Sequence, residues 1–192
     1  MSATRATIRA VLAVVAAAAV LSGCAGGQDQ ASCSHTHNGF PVLEAQAVPS
    51  ATLIPCVLPL PGGWRYGGAR VRSGLARFWL DSDRAGGRAA EVSLMPGCDV
   101  AGATELPPGT GGAPVRRFEA PAPGRPQGTL RSYLFTGGCV RYRLAFTRRS
   151  APALYDQADQ FLGFTPRRVY VDGIGGMEGL TLCGAEAPPC PG

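Results

Sequence analysis

The chain has 192 residues, 45% of them hydrophobic, with 18 basic and 13 acidic side chains and a net charge of +5. Every basic residue is arginine and there is no lysine, while the two histidines stand together at 35 and 37. So mild a charge excess, with no basic stripe interleaved with stacking aromatics, excludes a nucleic-acid binder, and the length suits one domain.

Residues 1–9 carry Arg5 and Arg9 without an acid, and Ala10 to Leu21 is an unbroken apolar run. As a helix those twelve residues span about 18 Å, well short of a hydrocarbon core of about 30 Å. The pattern is that of an export signal, with Ser22 and Gly23 as the small residues of a cleavage site. The run Val20-Leu21-Ser22-Gly23-Cys24 resembles the lipobox of bacterial lipoprotein precursors. The resemblance covers the first 24 residues only. It implies that a diacylglyceryl group joins the Cys24 sulfur and that residues 1–23 are removed. Cys24 then becomes a lipid-bearing N-terminus on the outer face of the bacterial plasma membrane. Without Arg5 and Arg9, sixteen arginines face thirteen acids, a net charge near +3 that suits a protein lying close to anionic headgroups or envelope polymers.

Seven cysteines leave one over in an exported protein. Lipidation of Cys24 removes the odd one. Cys33, Cys56, Cys98, Cys139, Cys183 and Cys190 remain as an even set in a compartment that permits disulfides. Six cysteines allow fifteen connectivities. The expectation adopted is chain order: Cys33–Cys56, Cys98–Cys139 and Cys183–Cys190. No pair has the C-x-x-C spacing of a zinc site.

Residues 24–40 form a lipidated flexible tether, and 41–192 a single extracytoplasmic domain. Residues 41–63 contain Pro55, Pro59 and Pro61, which predict an extended segment without regular helix. A hairpin is expected from about Gly74 to Met95, with Ala76, Phe78 and Leu80 sharing a face and Asp81 to Gly87 as the turn. Trp64 to Val71 and Pro114 to Glu119 add shorter strands. Residues 101–114 and 120–128 read as long loops. The clearest hairpin runs from Thr129 to Thr147 about Gly137-Gly138, pairing Thr136 with Cys139 and Phe135 with Val140. It places Arg141 and Arg143 on the wet face. Ser150 caps a helix from Ala151 to about Gly163, with Leu154, Ala158, Phe161 and Leu162 inward and Asp156, Asp159 and Gln160 in water. For residues 166–178, Thr165-Pro166 argues for a helix and Val169-Tyr170-Val171 for a strand. The expected class is α+β: a small antiparallel sheet of hairpins, one or two helices packed on one face, and disulfides.

Chemistry-bearing groups are few. Cys33, His35 and His37 would project from one side of an extended backbone, a partial ligand set for Zn or Cu. Asp81-x-Asp83-x-x-Gly86 opens like a calcium loop, but Val92 stands where the bidentate glutamate belongs. The folded region has neither histidine nor lysine to act as general base, and no catalytic residue or cofactor is assigned. The leading expectation is a non-catalytic, membrane-anchored binding or interaction module. Its surface would be Arg141, Arg143, Arg148 and Arg149, meeting an anionic envelope polymer or another envelope protein. The alternative is a small extracytoplasmic hydrolase or a metal-handling lipoprotein using His35 and His37.

Overall fold

The computed structural model describes residues 40–107, 115–124, 128–146, 151–174 and 181–190. Cys24, Cys33, His35, His37, Arg148, Arg149 and Ser150 lie outside the described residues.

Strict alternation of apolar and polar residues builds the middle of the fold. Strand β3 (Leu75–Ser82) buries every second residue. Its Ala76, Phe78 and Leu80 lie opposite Leu94, Val92 and Ala90 of β4 (Gly86–Met95), and all six are at most 1% exposed. Val140, Tyr142 and Leu144 of β8 (Gly138–Leu144) extend the same apolar layer across the next strand. Full burial of one such aromatic or aliphatic side chain contributes about 1.5–3 kcal/mol. Outward from this centre lie β2 (Trp64–Arg72) on one side and β7 (Gly128–Phe135), β6 (Arg116–Ala122) and β5 (Thr104–Leu106) on the other. The seven strands form one antiparallel sheet in the order β2-β3-β4-β8-β7-β6-β5.

A second layer covers the apolar face. It consists of α1 (Phe40–Ala47), a two-stranded ribbon of β1 (Leu53–Val57) with β9 (Leu162–Pro166), α2 (Ala151–Phe161) and α3 (Arg167–Ile174). Phe40 meets Phe78 edge-on with ring centres 5.9 Å apart, Phe164 packs on Tyr133 at 5.2 Å, and Phe161 meets Trp64 at 4.8 Å. Leu154, Ala158 and Phe161 form the buried stripe of α2. The class is α+β as expected, with a large sheet rather than a small one and, among the described residues, three helices rather than one or two.

Several local expectations change. Residues 40–47 are helical, not extended, because Pro41 occupies the first turn, where its missing N–H costs nothing, and the later prolines lie beyond Ala47. The helix end is well satisfied. Ala47 O accepts from Gly74 N at 2.7 Å, and Ala45 O accepts from Arg167 Nη1 at 2.7 Å. The β7–β8 turn is Thr136-Gly137, not Gly137-Gly138, so Phe135 pairs with Gly138 and Tyr133 with Val140. Both registers keep the same residues inward. Gly137 has φ +74°, and a side chain there would collide with Ser50 O, so this turn requires glycine at 137. Strand β6 runs on to Ala122, and Thr104–Leu106 is a strand, so both predicted loops are shorter. Residues 167–174 are helical, and β9 follows α2 without an intervening loop.

Candidate functional site

No described helix lies on the other face of the sheet, and its residues follow from the register. One transverse row reads Arg70, Arg77, Ser93, Arg141, Ser132, Phe118 and Glu105, one residue from each strand in order. Within it Arg77 Nε donates to Ser93 Oγ at 3.0 Å, and Arg141 Nε donates to Ser132 Oγ at 3.1 Å. Each arginine thus lies over a buried serine of the neighbouring strand, its stem covering the sheet, and Arg77 Nη1 also pairs with Glu91 at 3.3 Å. In the next row Glu91 lies opposite Arg143. Trp79 covers Gly67 and Gly68, and Gly68, at φ +143°, could carry no side chain beneath that ring. Arg88 stacks on the outside of Trp79 with its guanidinium 4.5 Å from the ring centre.

Arg141 and Arg143, singled out from the sequence, are on this face and half-buried. Arg141 Nη2 also donates to Asp99 O at 2.5 Å, and Arg143 Nη2 to Pro123 O at 3.5 Å. Both line a shallow cavity of about 210 Å³ with Arg77, Glu91 and Met95. A larger cavity of about 490 Å³ lies at the far end of the β2–β3 hairpin, lined by Arg70, Val71, Arg72, Leu75 and Arg77 without a carboxylate. Sequence reasoning missed this cluster, because it depends on the β2–β3 register and on a bulge between Tyr66 and Gly68.

Three further acids are held by arginines or the backbone. Asp81 Oδ1 accepts from Arg88 N at 2.8 Å and Asp83 pairs with Arg65 at 2.8 Å, so the calcium-like segment serves as a hairpin turn. Asp159, expected in water, instead joins Arg131, which also donates to Glu119 at 2.9 Å and stacks on Tyr155. Burial pushes the Asp159 carboxyl above its ordinary range, and Arg131 opposes that rise. Burial also acts against the Arg131 charge, but Asp159 and Glu119 outweigh it and keep the guanidinium charged. Asp156 is exposed on the same helix.

Disulfides join Cys98 to Cys139 and Cys183 to Cys190. The first anchors the segment after β4 to the outer face, beside the Asp99 carbonyl that Arg141 holds. Cys56 is also disulfide-bonded, and its partner lies outside the described residues. Among the described residues no three His, Cys, Asp or Glu side chains are grouped to hold a metal ion, and no helix is long and apolar enough to cross a membrane. No family model, curated protein or solved structure matches the chain.

Proposed function

We propose that this chain is an envelope lipoprotein, anchored through Cys24 to the outer face of the bacterial plasma membrane. In this reading its domain is a non-catalytic binding module for an anionic envelope polymer. The observation that carries the binding role is the arginine-bearing outer face of the seven-stranded sheet, with Arg77, Arg141 and Arg143 around one shallow cavity. Their guanidinium forks are held by serine hydroxyls, backbone carbonyls and, for Arg77, the Glu91 carboxylate, which pre-positions the remaining planar donors for carboxylate or phosphate oxygens. The lipobox resemblance of residues 20–24 supports the address.

Arg141→Glu combined with Arg143→Glu in the full-length protein tests the module. Retention on isolated envelope polymer should fall while the protein stays folded and membrane-bound. Unchanged retention removes this face from the reading. Loss of a captured protein partner, with polymer retention intact, would assign the face to another envelope protein.

A further inference from the structure

Where two charged residues stand directly opposite each other on this sheet, a cation meets an anion in three pairs. Arg65 lies opposite Asp81, Arg143 opposite Glu91, and Arg131 opposite Glu119. Among the described residues one pair breaks the pattern: Arg70 lies directly opposite Arg77. Like charges placed directly opposite destabilise a sheet. Arg72, two residues along on the same face, adds a third positive charge. Among the described residues the Arg70 and Arg72 side chains form no hydrogen bond or ion pair, and Glu91, at 3.3 Å from Arg77, is the one acid paired with any of the three. Strand β2 is the edge of the sheet, so no further described strand supplies a carboxylate. The cavity of about 490 Å³ opens among these three guanidinium groups.

The apolar face of the same edge carries the exposed apolar side chains. Leu43 (49% exposed), Tyr66 (45%) and Val71 (40%) are the large hydrophobic residues left most open among those described. All three lie on α1 or β2, and Phe40 and Tyr66 both pack on Phe78. An edge strand with arginines on one face and an exposed tyrosine and valine on the other suits edge-on contact with a lipid headgroup region, where apolar bodies sink and charged tips stay at phosphate level. The chain also arrives here. Phe40, the first described residue, packs against the strand that carries Arg77. From Cys24 to Phe40 an extended chain reaches at most about 55 Å, and a flexible one spans on average about 22 Å.

We infer that the β2–β3 edge is a membrane-contact site. Arg70, Arg72 and Arg77 bind the phosphodiester groups of anionic phospholipids, and Leu43, Tyr66 and Val71 rest among the headgroups. The geometry of this site rests on Cys24 being the anchor, whereas its affinity does not. The lipid occupant supplies the anion that Arg70 and Arg72 lack, and it fixes how the tethered domain sits on the bilayer.

The test uses the mature chain with Cys24→Ser, which removes the lipid and separates this inference from the anchor. Co-sedimentation is measured with vesicles of phosphatidylcholine alone and with vesicles containing phosphatidylglycerol. Binding should require phosphatidylglycerol and fall as salt rises. Arg70→Gln with Arg72→Gln should weaken it about 25-fold, taking about fivefold per arginine. Arg168→Gln, an exposed arginine of α3 outside both proposed surfaces, should leave it unchanged. In the absence of lipid, Arg70→Gln should raise the low-salt unfolding midpoint slightly, showing that the variant folds and that the cation pair is repulsive. Equal binding to both vesicle types, or full binding by the double variant, would overturn the site. So would binding to soluble poly(glycerol phosphate) with none to vesicles, which would assign these arginines to a polymer.

Discussion

Arg167 Nη1 donates to the carbonyl of Ala45 at 2.7 Å across 122 residues of sequence. The guanidinium is completely buried, and its Nη2 donates to Cys183 O at 2.6 Å. One side chain therefore fastens the end of α1, the start of α3 and the Cys183–Cys190 segment together. The carbonyls at the end of α1 need partners from outside the helix, and Arg167 is one of them. Arg167→Met should cost about 3 kcal/mol, since it leaves buried carbonyls unsatisfied. Arg167→Lys should rescue little, because a single ammonium cannot reproduce the fork. Urea unfolding of the three proteins checks both statements.

Glu44 is 1% exposed, and its Oε1 has no hydrogen-bond partner among the described residues. Burial pushes its carboxyl well above the ordinary value of 4.5. The native state therefore keeps a proton that the unfolded chain releases above about pH 4.5. This contribution is fully present below that pH and is lost as pH rises through the raised native value. Glu44→Gln should remove the dependence. Its stability advantage over wild type should grow from pH 5 to pH 8, reaching about 1 kcal/mol or more. Parallel stability–pH curves for the two proteins would refute this assignment.

Arg131 joins β7 to α2 through Asp159 and to β6 through Glu119. Arg131→Met leaves two partly buried carboxylates facing each other and should cost about 2 kcal/mol. That is below the figure for a fully buried pair, because Asp159 remains 24% exposed. Asp159→Asn should cost less, since Arg131 keeps Glu119 and the Tyr155 ring. Thermal unfolding of both variants at neutral pH gives the order.

The Cys98–Cys139 disulfide closes a separation of 41 residues, for which loop entropy sets an upper value of about 4 kcal/mol. Replacing both cysteines with alanine should lower stability by up to that amount. It should also free the Asp99 carbonyl from Arg141, which amide hydrogen exchange on residues 98–101 would report.

The central hairpins were legible because alternation is local. Ala76, Phe78 and Leu80 declare their face without help from the rest of the chain. The turn of the β7–β8 hairpin was not, because two consecutive glycines allow two registers. The deciding contact is Ser50 Oγ donating to Gly137 O from 87 residues away. Helix α1 was equally hidden, since eight residues containing a proline do not hold a helix alone and depend on Arg167 and Gly74 to satisfy their carbonyls. On the outer face, alternation placed Arg141 and Arg143. The Arg70–Arg77 opposition was illegible because the bulge before Gly68 sets which residues of β2 meet β3.

The most direct test of the anchored-module account is detergent-phase partitioning of the full-length protein against Cys24→Ala. The account predicts that wild type enters the detergent phase and incorporates labelled fatty acid, while Cys24→Ala remains aqueous and unlabelled. Equal partitioning and labelling of the two proteins would contradict it.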